Sequence, residues 1–113
     1  MRPSPWSRAA LALPVLLGGC HERLCADFAD TYAEVARKSQ PCVDQPPLPA
    51  FDAQRCQKNL GACDARDLEQ LDAQRACYAK LETCEPDQKD DFLQQITRCD
   101  DHAVSNPCEA AIF

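Results

Sequence analysis

The sequence predicts an all-α fold, a small bundle of about four short helices stapled by disulfides. Three observations point there. Apolar residues recur at helical spacing of three and four through most of the chain, and no segment alternates with period two. Cysteines recur with a period of about 21 residues: Cys42, Cys63 and Cys84 lie 21 apart, and Cys56, Cys77 and Cys99 lie 21 and 22 apart. Large aliphatic and aromatic residues are otherwise sparse, so a domain this small needs covalent staples.

The elements follow in order. Roughly Glu22 to Lys38 carries Cys25, Phe28, Tyr32 and Val35 at 3-4-3 spacing, an amphipathic helix. A proline-rich connection, Pro41 to Pro49, leads into a short helix from Ala50 to Leu60, closed by Gly61. In Asp64 to Thr83 the stripe is Leu68, Leu71, Tyr78 and Leu81, with Asp64 as N-cap and Asp67 three residues on as in a capping box. In Pro86 to Ala103 the stripe is Phe92, Ile96, Cys99 and Ala103. Pro86 suits a first helical position, and Asp87, Asp90 and Asp91 suit the positive helix N-terminus. Asp-Ala-Gln-Arg occurs twice, at Asp52 to Arg55 and Asp72 to Arg75, inside the cysteine-bracketed units. Such self-similarity is expected of a unit that buries its face by stacking on its own copies.

The first twenty residues are of another kind. Arg2 and Arg8 precede an apolar run, Ala9 to Leu17, which is far short of the ~20 residues that span a bilayer. Leu16-Leu17-Gly18-Gly19-Cys20 then resembles the lipobox of bacterial lipoprotein signal peptides. The resemblance implies a cleaved signal at 1–19, a short anchored tether at 20–24 and a cysteine-rich helical domain at 25–113. Cys20 would become the N-terminus, carrying a thioether-linked diacylglycerol and an amide-linked acyl chain. Two or three chains anchor stably, at ~0.8 kcal/mol per buried CH₂. It also implies a lipid-anchored cell-envelope protein. His21 rather than Asp after the acylated cysteine points to the outer membrane over the inner, by the enterobacterial sorting rule.

Cysteine arithmetic agrees with that address. Nine cysteines are an odd number for an exported protein; setting Cys20 aside leaves eight, enough for four disulfides in an oxidising compartment. Cys77 and Cys84 share a helix face but lie ~10 Å apart along it, so each must bond to another helix. If successive helices run antiparallel, each unit lies parallel to the next but one. The expected pairs are then Cys56–Cys99, Cys63–Cys108 and Cys42–Cys84, with Cys25–Cys77 by elimination. The cysteine-bracketed helices loosely resemble the twin Cys-x9-Cys hairpins of mitochondrial intermembrane-space proteins, with Cys-x6-Cys twice and Cys-x8-Cys once here. They are similar across most of the domain to small cysteine-rich lipoproteins of myxobacteria, which implies architecture and not activity.

Chemical motifs are mostly absent. No Cys-x-x-Cys, haem-attachment, phosphate-loop, dinucleotide or EF-hand pattern occurs. His21 abuts Cys20; His102 sits beside Asp100 and Asp101 at a helix end, and neither reads as a metal ligand. The acidic run Glu85 to Asp91 lacks the spaced ligands and turn glycine of a calcium loop. Loss of residues 1–19 removes two of twelve basic residues and none of eighteen acidic ones, moving the net charge from −6 to −8. That charge excludes nucleic acid and electrostatic docking on anionic lipid. No catalytic residues, metal ligands or cofactors are expected beyond the lipid on Cys20. The first expectation is a non-enzymatic binding or structural module, held to the membrane by its lipid and working with an envelope protein partner. The alternative is a metal-handling or thiol-redox protein, resting on thiol number. A small hydrolase would need a nucleophile–base pair built on Ser39 or Ser105, the only serines after residue 20. Only four residues separate Cys20 from Cys25, under ~20 Å even when extended, which would hold the domain against the headgroups.

Overall fold

Helix α1 spans 23–39 and supplies the spine of the fold. The computed structural model describes residues 23–100 and 104–113; Cys20, His21, His102 and the 1–19 segment lie outside the described residues. The expected stripe of α1 is the buried one: Cys25, Phe28, Tyr32 and Val35 are all under 9% exposed, with Leu24 beside them. The helix stops at Ser39, whose carbonyl accepts from the backbone N–H of Cys42 (2.9 Å) and Val43 (3.1 Å), turning the chain at Pro41.

Four further helices follow. α2 is Ala53–Asn59, capped by the Asp52 carboxylate on Arg55 N (3.0 Å) and closed by a 3-10 turn, Leu60–Ala62. α3 is Ala65–Ala79, with the full capping box between Asp64 and Asp67. A 3-10 turn, Pro86–Gln88, leads into α4, Lys89–Cys99, which buries Phe92, Ile96 and Cys99. α5 is Asn106–Ile112, capped by Ser105. No strand occurs among the described residues, and no helix among them is long and apolar enough to cross a membrane.

α1 and α3 run side by side in the same direction. Leu24 shares a groove with Ala65 and Leu68 at one end, Tyr32 meets Tyr78 edge to face at 5.6 Å, and Lys38 Nζ donates to Ala79 O (3.3 Å) at the other. α4 packs antiparallel against the end of α3. α5 packs on α2, where Arg55 Nη2 donates to Ala110 O (3.0 Å) and Asn59 Nδ2 to Ala111 O (3.3 Å). The core between them is aromatic: Phe28 stacks on Phe51 at 5.3 Å and meets Tyr32 and Phe113, each at 5.9 Å. Such offset and edge-on ring pairs add about 0.5–1.5 kcal/mol each beyond their buried area.

Three expectations need correction. α3 ends at Ala79, four residues before Thr83, because Cys84 is drawn away to α1, its N–H donating to Lys38 O at 2.8 Å. A fifth helix, α5, forms where none was expected.

The disulfides also differ from expectation: they are Cys25–Cys56, Cys42–Cys84, Cys63–Cys108 and Cys77–Cys99, with Cα–Cα distances of 5.7, 6.1, 4.6 and 5.5 Å. Cys42–Cys84 and Cys63–Cys108 coincide with the expected pairs. Cys25–Cys77 and Cys56–Cys99 do not occur. Parallel packing places Cys25 beside the start of α3, whereas Cys77 adjoins Tyr78, which meets Tyr32 two turns further along. Seven residues of helix span about 10 Å, beyond disulfide reach. Two of the disulfides therefore join consecutive helices, α1 to α2 and α3 to α4, while Cys108 of α5 bonds back to the connector residue Cys63. Connector cysteines make the long-range ties.

Candidate functional site

Two places bring polar chemistry together, the first of them built from helix ends. The first lies where α3 and α5 begin. Asp67 is only 5% exposed, and its carboxylate accepts from Ser105 N and Ser105 Oγ (both 2.8 Å) and from Asp64 N (3.1 Å). Ser105 Oγ in turn accepts from Cys108 N (3.4 Å), so one carboxylate and one hydroxyl cap two helices. The hydrogen bonds from the Ser105 backbone and hydroxyl hold the Asp67 carboxyl below the usual carboxylate range, reinforced by those from Asp64.

This junction contains the only serine–carboxylate pair among the described residues, and its chemistry is that of a cap. A carboxylate with depressed basicity, already saturated with donors, is a poor general base. The Sγ atoms of Cys63 and Cys108 and the carboxylate of Asp67 all lie within 4.8 Å of one another, a spacing fit for a metal ion. The two sulfurs are bonded to each other, however, and metals are bound by thiolates, which this disulfide does not offer.

The second place is a polar strip between α1, α3 and the end of α4, buried at Tyr32, Gln74 and Tyr78 and exposed at Asp100. Gln74 Nε2 donates to Tyr78 Oη (3.3 Å), and Tyr78 Oη donates to the carboxylate of Asp100. Burial pushes the Tyr32 phenol up to about 12, with the Asp100 charge adding to the effect. Among the described residues no buried side-chain nitrogen or oxygen is left without a partner. A satisfied strip of this kind orders the core.

The acidic run Glu85 to Asp91 sits on the 3-10 turn and first turn of α4, where carboxylates complement the helix dipole. Asp91 accepts from Gln95 Nε2 at 2.8 Å. The surface carries shallow grooves, two of them with mainly apolar walls. One, between α1 and α3, has Leu24 and Leu68 at its base and Asp27, Glu69 and Asp72 on its rim. The other crosses α3 and α4 over the Cys77–Cys99 disulfide. Sequence reading did not single out Asp67 with Ser105, nor this second groove. Asp67 was visible as a capping residue, but its partner lies 38 positions away.

No known protein family matches the chain, and neither curated proteins nor solved structures show a detectable similarity to it.

Proposed function

We propose that this chain is a lipid-anchored module of the bacterial cell envelope that binds a partner or ligand and performs no catalysis. Residues 1–19 serve as its signal, Cys20 carries the lipid, and 25–113 form the working domain. The observation that carries this reading is the disposition of the cysteines. The eight among the described residues close four disulfides with one another, and Cys20, at the end of Leu-Leu-Gly-Gly-Cys, is the one left over. Support for binding over catalysis comes from the polar groups, which are committed to helix caps and to the polar strip. The anchor and the domain are close-coupled: Cys25 is fully buried in α1, so the tether has no slack beyond residue 24. The α1–α3 end of the bundle would then face the headgroups, most simply those of the outer membrane.

The test is mass and partitioning together. Protein purified from membranes is expected to have lost residues 1–19, gained acyl groups and to take up no alkylating reagent before reduction. Cys20→Ala is expected to leave helical circular dichroism unchanged while moving the protein out of the detergent phase. A Cys20→Ala protein that still partitions into detergent would remove the lipoprotein reading. Several alkylated thiols would turn attention to metal or redox chemistry.

A further inference from the structure

The groove over the Cys77–Cys99 disulfide differs from the rest of this acidic molecule. It has a volume of about 580 Å³, within the size range of small-molecule sites. Its walls are mainly apolar, with Ala76, Leu81 and the half-buried Cys77 among them, and its rim carries two cations, Lys80 and Arg98. Neither side chain is used elsewhere among the described residues: Lys80 and Arg98 make no side-chain hydrogen bond, and the two ion pairs present are Arg37–Glu34 and Arg75–Asp72. Lys80 also borders a neighbouring hollow with Glu82, Glu85 and Asp91, so Arg98 is the less compensated of the two.

An apolar trough beside uncommitted cations is complementary to an amphiphile with a negative head, and opposed to one with a positive head. We propose that this groove binds a single-chain aliphatic carboxylate, a fatty acid, with the chain lying over Ala76, Leu81 and the disulfide and the carboxylate between Arg98 and Lys80. A guanidinium suits a carboxylate by donating two parallel hydrogen bonds. The proposal rests on the reading of the domain as a binding module and names its ligand class.

The test is a titration of dodecanoate, kept below its micelle concentration, into the oxidised full-length chain carrying Cys20→Ala, which keeps the protein's own acyl chains out of the groove. Saturable one-to-one binding is expected by calorimetry. Dodecyltrimethylammonium, with the same chain and the opposite charge, is expected to bind at least tenfold more weakly. Arg98→Glu with Lys80→Glu is expected to weaken dodecanoate at least tenfold. Ala76→Leu, which fills the trough and leaves the charges, is expected to weaken it comparably. Lys58→Glu, an exposed cation at the end of α2, is expected to change nothing. Equal binding of the two amphiphiles, no binding of dodecanoate, or indifference to both the charge and the filling variants would overturn the proposal. Failure here with Cys20-dependent anchoring intact removes the ligand and keeps the lipoprotein. Dodecanoate binding by a protein that needs no Cys20 to reach the membrane does the reverse.

Discussion

Asp67 holds two helix starts at once, and its charge is what does so. Its carboxyl titrates below its unfolded value, which is about 3.9 for Asp, because the folded protein surrounds the ionised form with donors. The resulting stabilisation is complete above the unfolded value and is lost as pH falls through the lower folded one. Asp67→Asn is therefore expected to lower the thermal midpoint at pH 7, with the gap to the parent closing as pH drops below about 4. A gap that stays constant from pH 7 to pH 2 would show the carboxylate charge to be irrelevant. Gly61 is the opposite kind of residue. It has no positive φ, and a Cβ built on it meets nothing within 4 Å. Gly61→Ala is expected to raise stability by about 0.4–1 kcal/mol, through lower entropy of the unfolded chain. A fall in the unfolding midpoint would reveal a constraint on the glycine that its surroundings do not show.

At the scale of elements, like sequences take unlike roles. Asp-Ala-Gln-Arg opens α2, where Asp52 is the N-cap, yet the same tetrapeptide sits in the middle of α3. There Asp72 accepts from Arg75 Nη2 at 3.2 Å, one turn on. What the repeat does preserve is the placing of its cysteines: Cys63 and Cys84 lie in connectors, and Cys56, Cys77 and Cys99 lie in helices. The bonding follows that division only in part: Cys25–Cys56 and Cys77–Cys99 join consecutive helices, whereas the connector residues Cys84 and Cys63 reach back to Cys42 and on to Cys108 of α5. α1, α3 and α4 were legible from their apolar stripes, although Leu81 of the expected α3 stripe lies past the helix end and Ala103 of the expected α4 stripe lies outside the described residues. α5 was not, since seven residues are too short to show a period, although Ser105 with Pro107 is a helix-start signal.

For the whole molecule, the disulfides are part of the core as well as its ties. Six of the sixteen buried apolar residues among the described ones are half-cystines. The loops they close separate their ends by 22 to 45 residues, and each is worth on the order of 3–4 kcal/mol in the chain-entropy account. Replacing Cys77 and Cys99 together by serine is expected to cost about 2–5 kcal/mol and to loosen α4 first. Chemical denaturation would measure the loss, and hydrogen exchange would show which amides open. Digestion without reduction is expected to yield peptides joining Cys25 to Cys56 and Cys77 to Cys99. A peptide joining Cys25 to Cys77 would mean that the helices are paired differently.

Read alone, the sequence determined the helical class, the α1 stripe, the capping box of α3 and the even set of eight cysteines that follows Cys20. These depend on residues within a turn or two of one another, or on a count, and local chemistry suffices for both. Only the tertiary structure decided the relative height of α1 and α3, and from that which cysteines Cys25 and Cys99 meet, why α3 ends at Ala79, and how Lys80 and Arg98 come to flank one groove. Each of these is a meeting of segments twenty or more residues apart or of helices across a connector. The relative height and direction of two helices leave no trace in the period of either one.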